Sequence, residues 1–110
     1  MITIYHHLDP HLPGRMASRE FARGFVPLPC DLELAAVVEG ADDLDAAFDL
    51  TIHRDAEHWT DALGIVFFGD RRGRRSSREG DVFVDGHGAA FLVLPVGFRP
   101  LPSLRLPSLP

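Results

Sequence analysis

Five arginines fall within eight residues: Arg71, Arg72, Arg74, Arg75 and Arg78, with no acidic residue among them. Guanidinium groups at this density can clamp phosphate or carboxylate oxygens in pairs. Gly73 would let a ligand backbone approach closely, and Ser76 and Ser77 could add hydroxyl contacts. The whole chain carries a net charge of −5, so the remainder stands at −10 once these five cations are set aside. An acidic body with one basic loop would repel nucleic acid everywhere except at that loop. No aromatic residue is interleaved with the arginines to stack a base. A partner with an acidic face satisfies the same charges, and so would a solvated loop balanced by the protein's own carboxylates.

Three other sets of side chains could carry chemistry. His7, Asp9 and His11 alternate, so an extended segment would point them one way, toward a metal ion. Pro10 disturbs that geometry and no fourth ligand is evident, so surface histidines are the plainer reading. His53 and His58 are five apart and lie on different sides of a helix. Cys30, the single cysteine, cannot close an internal disulfide. As a nucleophile it would need a base beside it, and a small buried apolar residue is the simpler expectation. Asp45 and Asp49 share a helical face, as an acid/base pair would, but Asp42, Asp43, Asp45 and Asp49 read more simply as capping and solubilising residues. There is no glycine-rich phosphate loop, no Gly-x-Ser-x-Gly elbow and no Cys-x-x-Cys pair, so no enzyme class or cofactor is expected.

The elements that must position these residues are legible in the pattern. Ile2 to Leu8 is β-branched and aromatic and reads as a strand, stopped by Pro10, Pro13 and Gly14. Met16 to Arg23 can form a short helix ended by Gly24. Leu32 to Val38 is an apolar run and a second strand. Asp42 or Asp43 then occupies an N-cap position. Leu44, Ala47, Phe48, Thr51 and Ile52 follow at helical spacing, predicting the main helix over about 43–52. Leu63 to Phe68 reads as a strand. Gly80-Asp81 opens another, Asp85-Gly86 closes it, and Ala89 to Leu94 returns, which predicts a hairpin over 82–94. Val96 to Phe98 extends the sheet after Pro95.

The fold expected is α+β, in one compact domain over residues 1–99. A small mixed or mostly antiparallel sheet carries the main helix on one face. Its core draws on Leu34, Ala36, Val38, Leu44, Phe48, Ile52, Trp59, Ile65, Phe67, Val82, Val84, Phe91, Val93 and Phe98. At 110 residues such a chain hides roughly two thirds of its unfolded surface and needs no staples. Residues 100–110 contain only Pro, Leu, Ser and Arg, and a loose polyproline-like tail is expected there. No apolar run reaches membrane-spanning length, and the first residues lack a basic, then apolar, leader. A small acidic cytoplasmic protein is the expectation.

Several short pieces occur in a recognisable order: Ala47-Phe48-Asp49-Leu50-Thr51, then Trp59, Arg75-Ser76, Gly80-Asp81-Val82, Asp85-Gly86 and Gly97-Phe98. In this the chain resembles the YodL-like small proteins and modules of conjugative and integrative elements. The resemblance spans Leu32 to Leu101. It departs at Ile52, where Asn would follow Thr51, and at Arg78-Glu79, where Ser and Val would precede Gly80-Asp81. It implies a setting, the accessory cargo of mobile DNA, and no reaction or cofactor. The function expected is that of a non-enzymatic accessory or inhibitory protein acting by binding a host protein. The alternative is a small nucleic-acid-binding module using residues 71–78.

Overall fold

A computed structural model describes residues 1–52, 64–69 and 75–107. Trp59, His53, His58, Arg71, Arg72 and Arg74 lie outside the described residues. The elements run β1 (Ile2–His7), α1 (Leu12–Met16), α2 (Arg19–Gly24), a 3-10 turn at Pro29–Asp31, β2 (Leu32–Val38), α3 (Leu44–Leu50), β3 (Ile65–Phe67), β4 (Val82–Val84), β5 (Ala90–Val93) and β6 (Phe98–Pro100). The six strands form one sheet in the order β3-β2-β1-β4-β5-β6, and every neighbouring pair is antiparallel. The α+β architecture and the 82–94 hairpin stand as the sequence implies, with Val82 opposite Leu92 and Val84 opposite Ala90.

β1 sits at the centre of this sheet and is buried along its whole length. Both of its faces are covered, which explains why. On one face Ile2, Ile4, Phe83 and Val93 pack with Ala47 of α3. On the other, Tyr5, Val82, Val84 and Leu92 pack with Leu12, Met16 and Ala22 from α1 and α2. A strand covered on both sides loses the in/out alternation of a one-sided sheet. Phe83, absent from the expected core, is therefore fully buried, flanked by Phe48 and Phe98 at ring-centroid distances of 6.4 and 5.6 Å.

Local signals explain the helices. Asp43 caps α3 by accepting from the Ala46 amide at 2.7 Å. Thr51 ends it, its hydroxyl donating back to the Ala47 carbonyl at 2.9 Å. The expected helix over Met16–Arg23 is instead two short helices. Pro13 stands in the first turn of α1, where its missing N–H costs nothing, and Ser18 caps α2 through the Phe21 amide.

Two expectations are corrected. The tail is not loose up to residue 107. Leu101 and Leu104 are buried in the α1/α2-side core, Leu106 packs against it, and Tyr5 donates its hydroxyl to the Pro107 carbonyl. Prolines prevent a helix there, but extended chain can still lay leucines on a sheet face. Cys30 is not a small buried residue; it is exposed in the 3-10 turn.

Candidate functional site

Polar side chains converge where β1 ends and β4 begins. β1 delivers His6 and His7, which leave the strand on opposite faces because they are consecutive. Gly80-Asp81 leads into β4, and the antiparallel pairing of β1 with β4 sets Asp81 beside His7. Gly80 is required on two counts. Its φ is +94°, and a Cβ there would stand 2.5 Å from Leu12 Cδ2 and 3.1 Å from His7 Cδ2.

Asp81 is the centre of the cluster and is fully buried. Arg75 grips it bidentately, Nη2 to Oδ1 at 2.6 Å and Nη1 to Oδ2 at 2.9 Å. The His7 amide donates to Oδ1 at 3.0 Å, and the Arg78 amide to Oδ2 at 2.8 Å. Four donors thus occupy the lone-pair directions of one carboxylate. Arg75 also donates to the His7 carbonyl at 3.1 Å and to the Ser76 carbonyl at 2.9 Å. The result ties three chain segments together: the end of β1, residues 75–78 and the start of β4.

A second strand of hydrogen bonds runs to α3. The Ser77 hydroxyl lies 2.8 Å from Thr51 Oγ1 and 3.3 Å from His6 Nε2, and the Ser77 amide donates to the Thr51 carbonyl at 2.8 Å. Ser77, His6 and Asp81 superficially suggest a nucleophile, base and acid. The geometry differs from that of a triad. Asp81 Oδ2 lies 3.8 Å from Nε2, the same ring nitrogen that faces Ser77, whereas an orienting acid must hold the other nitrogen. Ser77 and Thr51 are themselves buried, so no substrate reaches them.

His7 is buried beside this network. Its pKa is lowered, first by burial, which disfavours the imidazolium. Asp81, with Oδ1 3.7 Å from Nε2, opposes the shift, while Arg75 and Arg78 add to it. The Glu79 backbone also faces the ring and opposes the shift, and both ring nitrogens are closed to solvent. Two clefts reach His7, one of about 240 Å³ bounded by Asp9, Arg75 and Arg78, and one of about 170 Å³ bounded by Asp9, Arg15 and Asp31. With its nitrogens shut away, His7 offers these clefts no donor or acceptor.

The structure separates the residues that spacing put together. His7 is buried, but Asp9 is turned to the start of α1, where it accepts from the His11 amide at 2.9 Å and pairs with Arg15. His11 is exposed, and His7, Asp9 and His11 do not form a metal site; among the described residues no three His, Cys, Asp or Glu side chains have the geometry to hold an ion. Of the basic loop, Arg75 and Ser76 are half-buried and Arg75 is committed to Asp81, whereas Arg78 is exposed beside Glu79 at 3.5 Å. Ser77 faces inward and offers no hydroxyl to a ligand. Asp42, Asp43, Asp45 and Asp49 are exposed around α3.

Sequence reasoning reads Asp81 as the residue that, with Gly80, opens a strand, and misses its union with Arg75 and the two histidines. The available signal was a run of β-formers ending in two histidines. A strand that apolar is central, so polar residues at its end must find buried partners. Asp85 is the half-buried counterpart, capping the hairpin turn through the His87 and Ala89 amides at 2.9 and 3.0 Å.

Among the described residues, the arrangement is a six-stranded antiparallel sheet with helices, an α+β fold closed by a latch in which half-buried Arg75 grips buried Asp81. No family model matches the chain, and no curated protein or solved structure matches it. Among the described residues, no helix is long and apolar enough to cross a membrane.

Proposed function

We propose that this chain is a non-catalytic binding protein, an accessory or inhibitory protein of a mobile genetic element that acts by engaging a host protein in the cytoplasm. One observation carries the non-catalytic part. Among the described residues, Asp81, His6, His7, Ser77 and Thr51, buried groups with acid–base or nucleophilic capacity at the β1–β4 junction, face one another and are closed to solvent. A reacting group needs an open approach within hydrogen-bonding reach of a substrate. The mobile-element setting rests on the YodL-like resemblance. Some of the pieces that carry it, Thr51, Arg75-Ser76 and Gly80-Asp81, take part in the latch, while Asp85-Gly86 and Gly97-Phe98 lie at the hairpin and β5–β6 turns. A likeness held in the latch and the turns is a likeness of fold, and it leaves recognition to the surface.

The test is capture of host proteins on the immobilised full chain, followed by reconstitution from purified components. A single host protein binding in a fixed ratio is the expected result. Failure to reconstitute any complex at ample protein concentration would overturn the reading. The nucleic-acid alternative draws on Arg78, which is exposed in the basic segment. It requires affinity for DNA or RNA that falls as salt rises. Absence of binding at low salt would remove it.

A further inference from the structure

An apolar groove of about 490 Å³ lies away from the latch, between the two N-terminal helices and the β5–β6 turn. Met16, Ala22, Leu94 and Val96 line it. The turn is closed by Leu94 N–H to Gly97 O at 2.9 Å, with Gly97 at φ +81°. That closure leaves Val96, at the tip, 90% exposed. A turn tip is normally polar, and an aliphatic residue there beside an apolar groove marks a contact surface.

The rim is cationic. Arg19 and Arg23 are four apart on α2 and so share one side of it, and Arg99 stands on β6 across the groove. Among the described residues, Arg19 and Arg23 pair with no carboxylate, although the chain holds sixteen Asp and Glu. Arg99 donates to the Phe25 carbonyl, and its Nε is buried without a hydrogen bond. In a protein of net charge −5, three arginines around an apolar floor form a local field of opposite sign to the body.

We infer that this groove docks an acidic peptide segment of the partner protein, in which one or two bulky apolar side chains enter between α2 and the β5–β6 turn and flanking carboxylates meet Arg19, Arg23 and Arg99. Charge complementarity selects this occupant. The volume falls in the range of about 300–1,000 Å³ typical of ligand sites. A fatty-acid tail would need an enclosing wall, and the near-complete exposure of Val96 shows that side to be open. The inference rests on the reading of the chain as a protein-binding protein and names the surface it uses.

Fluorescence polarisation of a labelled decapeptide tests it. The probe carries Asp and Glu around a central Phe-Leu pair, and a control has Ser in place of Phe and Leu. Saturable binding of the probe, weakened by salt and at least tenfold tighter than the control, is expected. Val96→Asp, and separately Arg19→Glu with Arg23→Glu, should each weaken binding at least tenfold. Both changes lie on the surface, and unchanged thermal melting will show that the fold is kept. Equal binding of probe and control, retention of affinity in both variants, or displacement of the probe by dodecanoate more effectively than by unlabelled peptide would overturn the inference. The reconstituted complex separates the two levels. If the Val96→Asp protein still holds the host partner with full affinity, the groove assignment fails while the binding function stands. If the wild type holds no partner, the binding function itself fails.

Discussion

Two regions of this molecule use arginine in opposite ways. At the β1–β4 junction Arg75 lies two-thirds buried and grips a carboxylate that has no solvent exposure. At the α2 groove Arg19 and Arg23 stand in solvent beside an apolar floor, with no carboxylate paired to them among the described residues. The first arrangement joins segments that are distant in the chain: Arg75 bonds to the carbonyl of His7, 68 residues away. The second joins nothing within the fold. An arginine inside a shut network stabilises a shape, whereas one left open over apolar surface is available to a partner.

The contrast is broken most forcefully at Asp81. Asp81→Ala leaves the Arg75 guanidinium, the His7 amide and the Arg78 amide without their acceptor, and a loss of about 3–5 kcal/mol is expected in urea unfolding, typical of a broken buried pair. A loss below about 1 kcal/mol would show that the latch does not hold the fold. Next comes the tail. Leu104→Ala removes a buried side chain from a segment whose composition suggests a loose tail, and should cost about 2–4 kcal/mol. A neutral result would return the segment to the loose tail the sequence suggests.

Gly80→Ala follows, at about 1–3 kcal/mol, because it places a Cβ at positive φ against Leu12. A neutral outcome would mean that α1 shifts readily away from the latch. The pH dependence is a smaller effect with a definite sign. His7 has a folded-state pKa below its unfolded value of about 6.5. The unfolded chain therefore binds the extra proton first, and stability falls as pH drops below about 6.5. His7→Gln should flatten that slope between pH 7.5 and 5.5 in urea midpoints, and an unchanged slope would assign it to another group. At the bottom of the scale, Arg19→Glu with Arg23→Glu should move stability by no more than about 0.5 kcal/mol per site, as exposed charges do.

How much of this was legible follows the range of each interaction. Ile2–His7 and Leu32–Val38 announce their strands through β-branched runs, and Asp43 announces α3 through its cap. Asp85-Gly86 marks the hairpin, although the positive φ falls at Gly88. These are local signals. Phe83 was missed because its burial depends on α3 covering a face that the hairpin alone would leave wet. The Leu101 and Leu104 contacts escaped because Pro-Leu-Ser repeats have neither helical nor strand period, and only the sheet's α1/α2-side face gives them a place. Cys30 was expected inside on residue type alone, but the 3-10 turn carries it outward. Arg75 read as part of a phosphate clamp because spacing grouped it with its neighbours. Its true partners come from β1 and β4, and that pairing is a property of the sheet order.

Arg75 and Asp81 act as one structural unit, and a double-mutant cycle measures this directly. Arg75→Ala, Asp81→Ala and the double variant are compared by urea unfolding. The double variant should be little less stable than Asp81→Ala alone, giving a coupling of about 2 kcal/mol or more, within the range for residues of one network. Additive losses, or single variants as stable as the wild type, would contradict it.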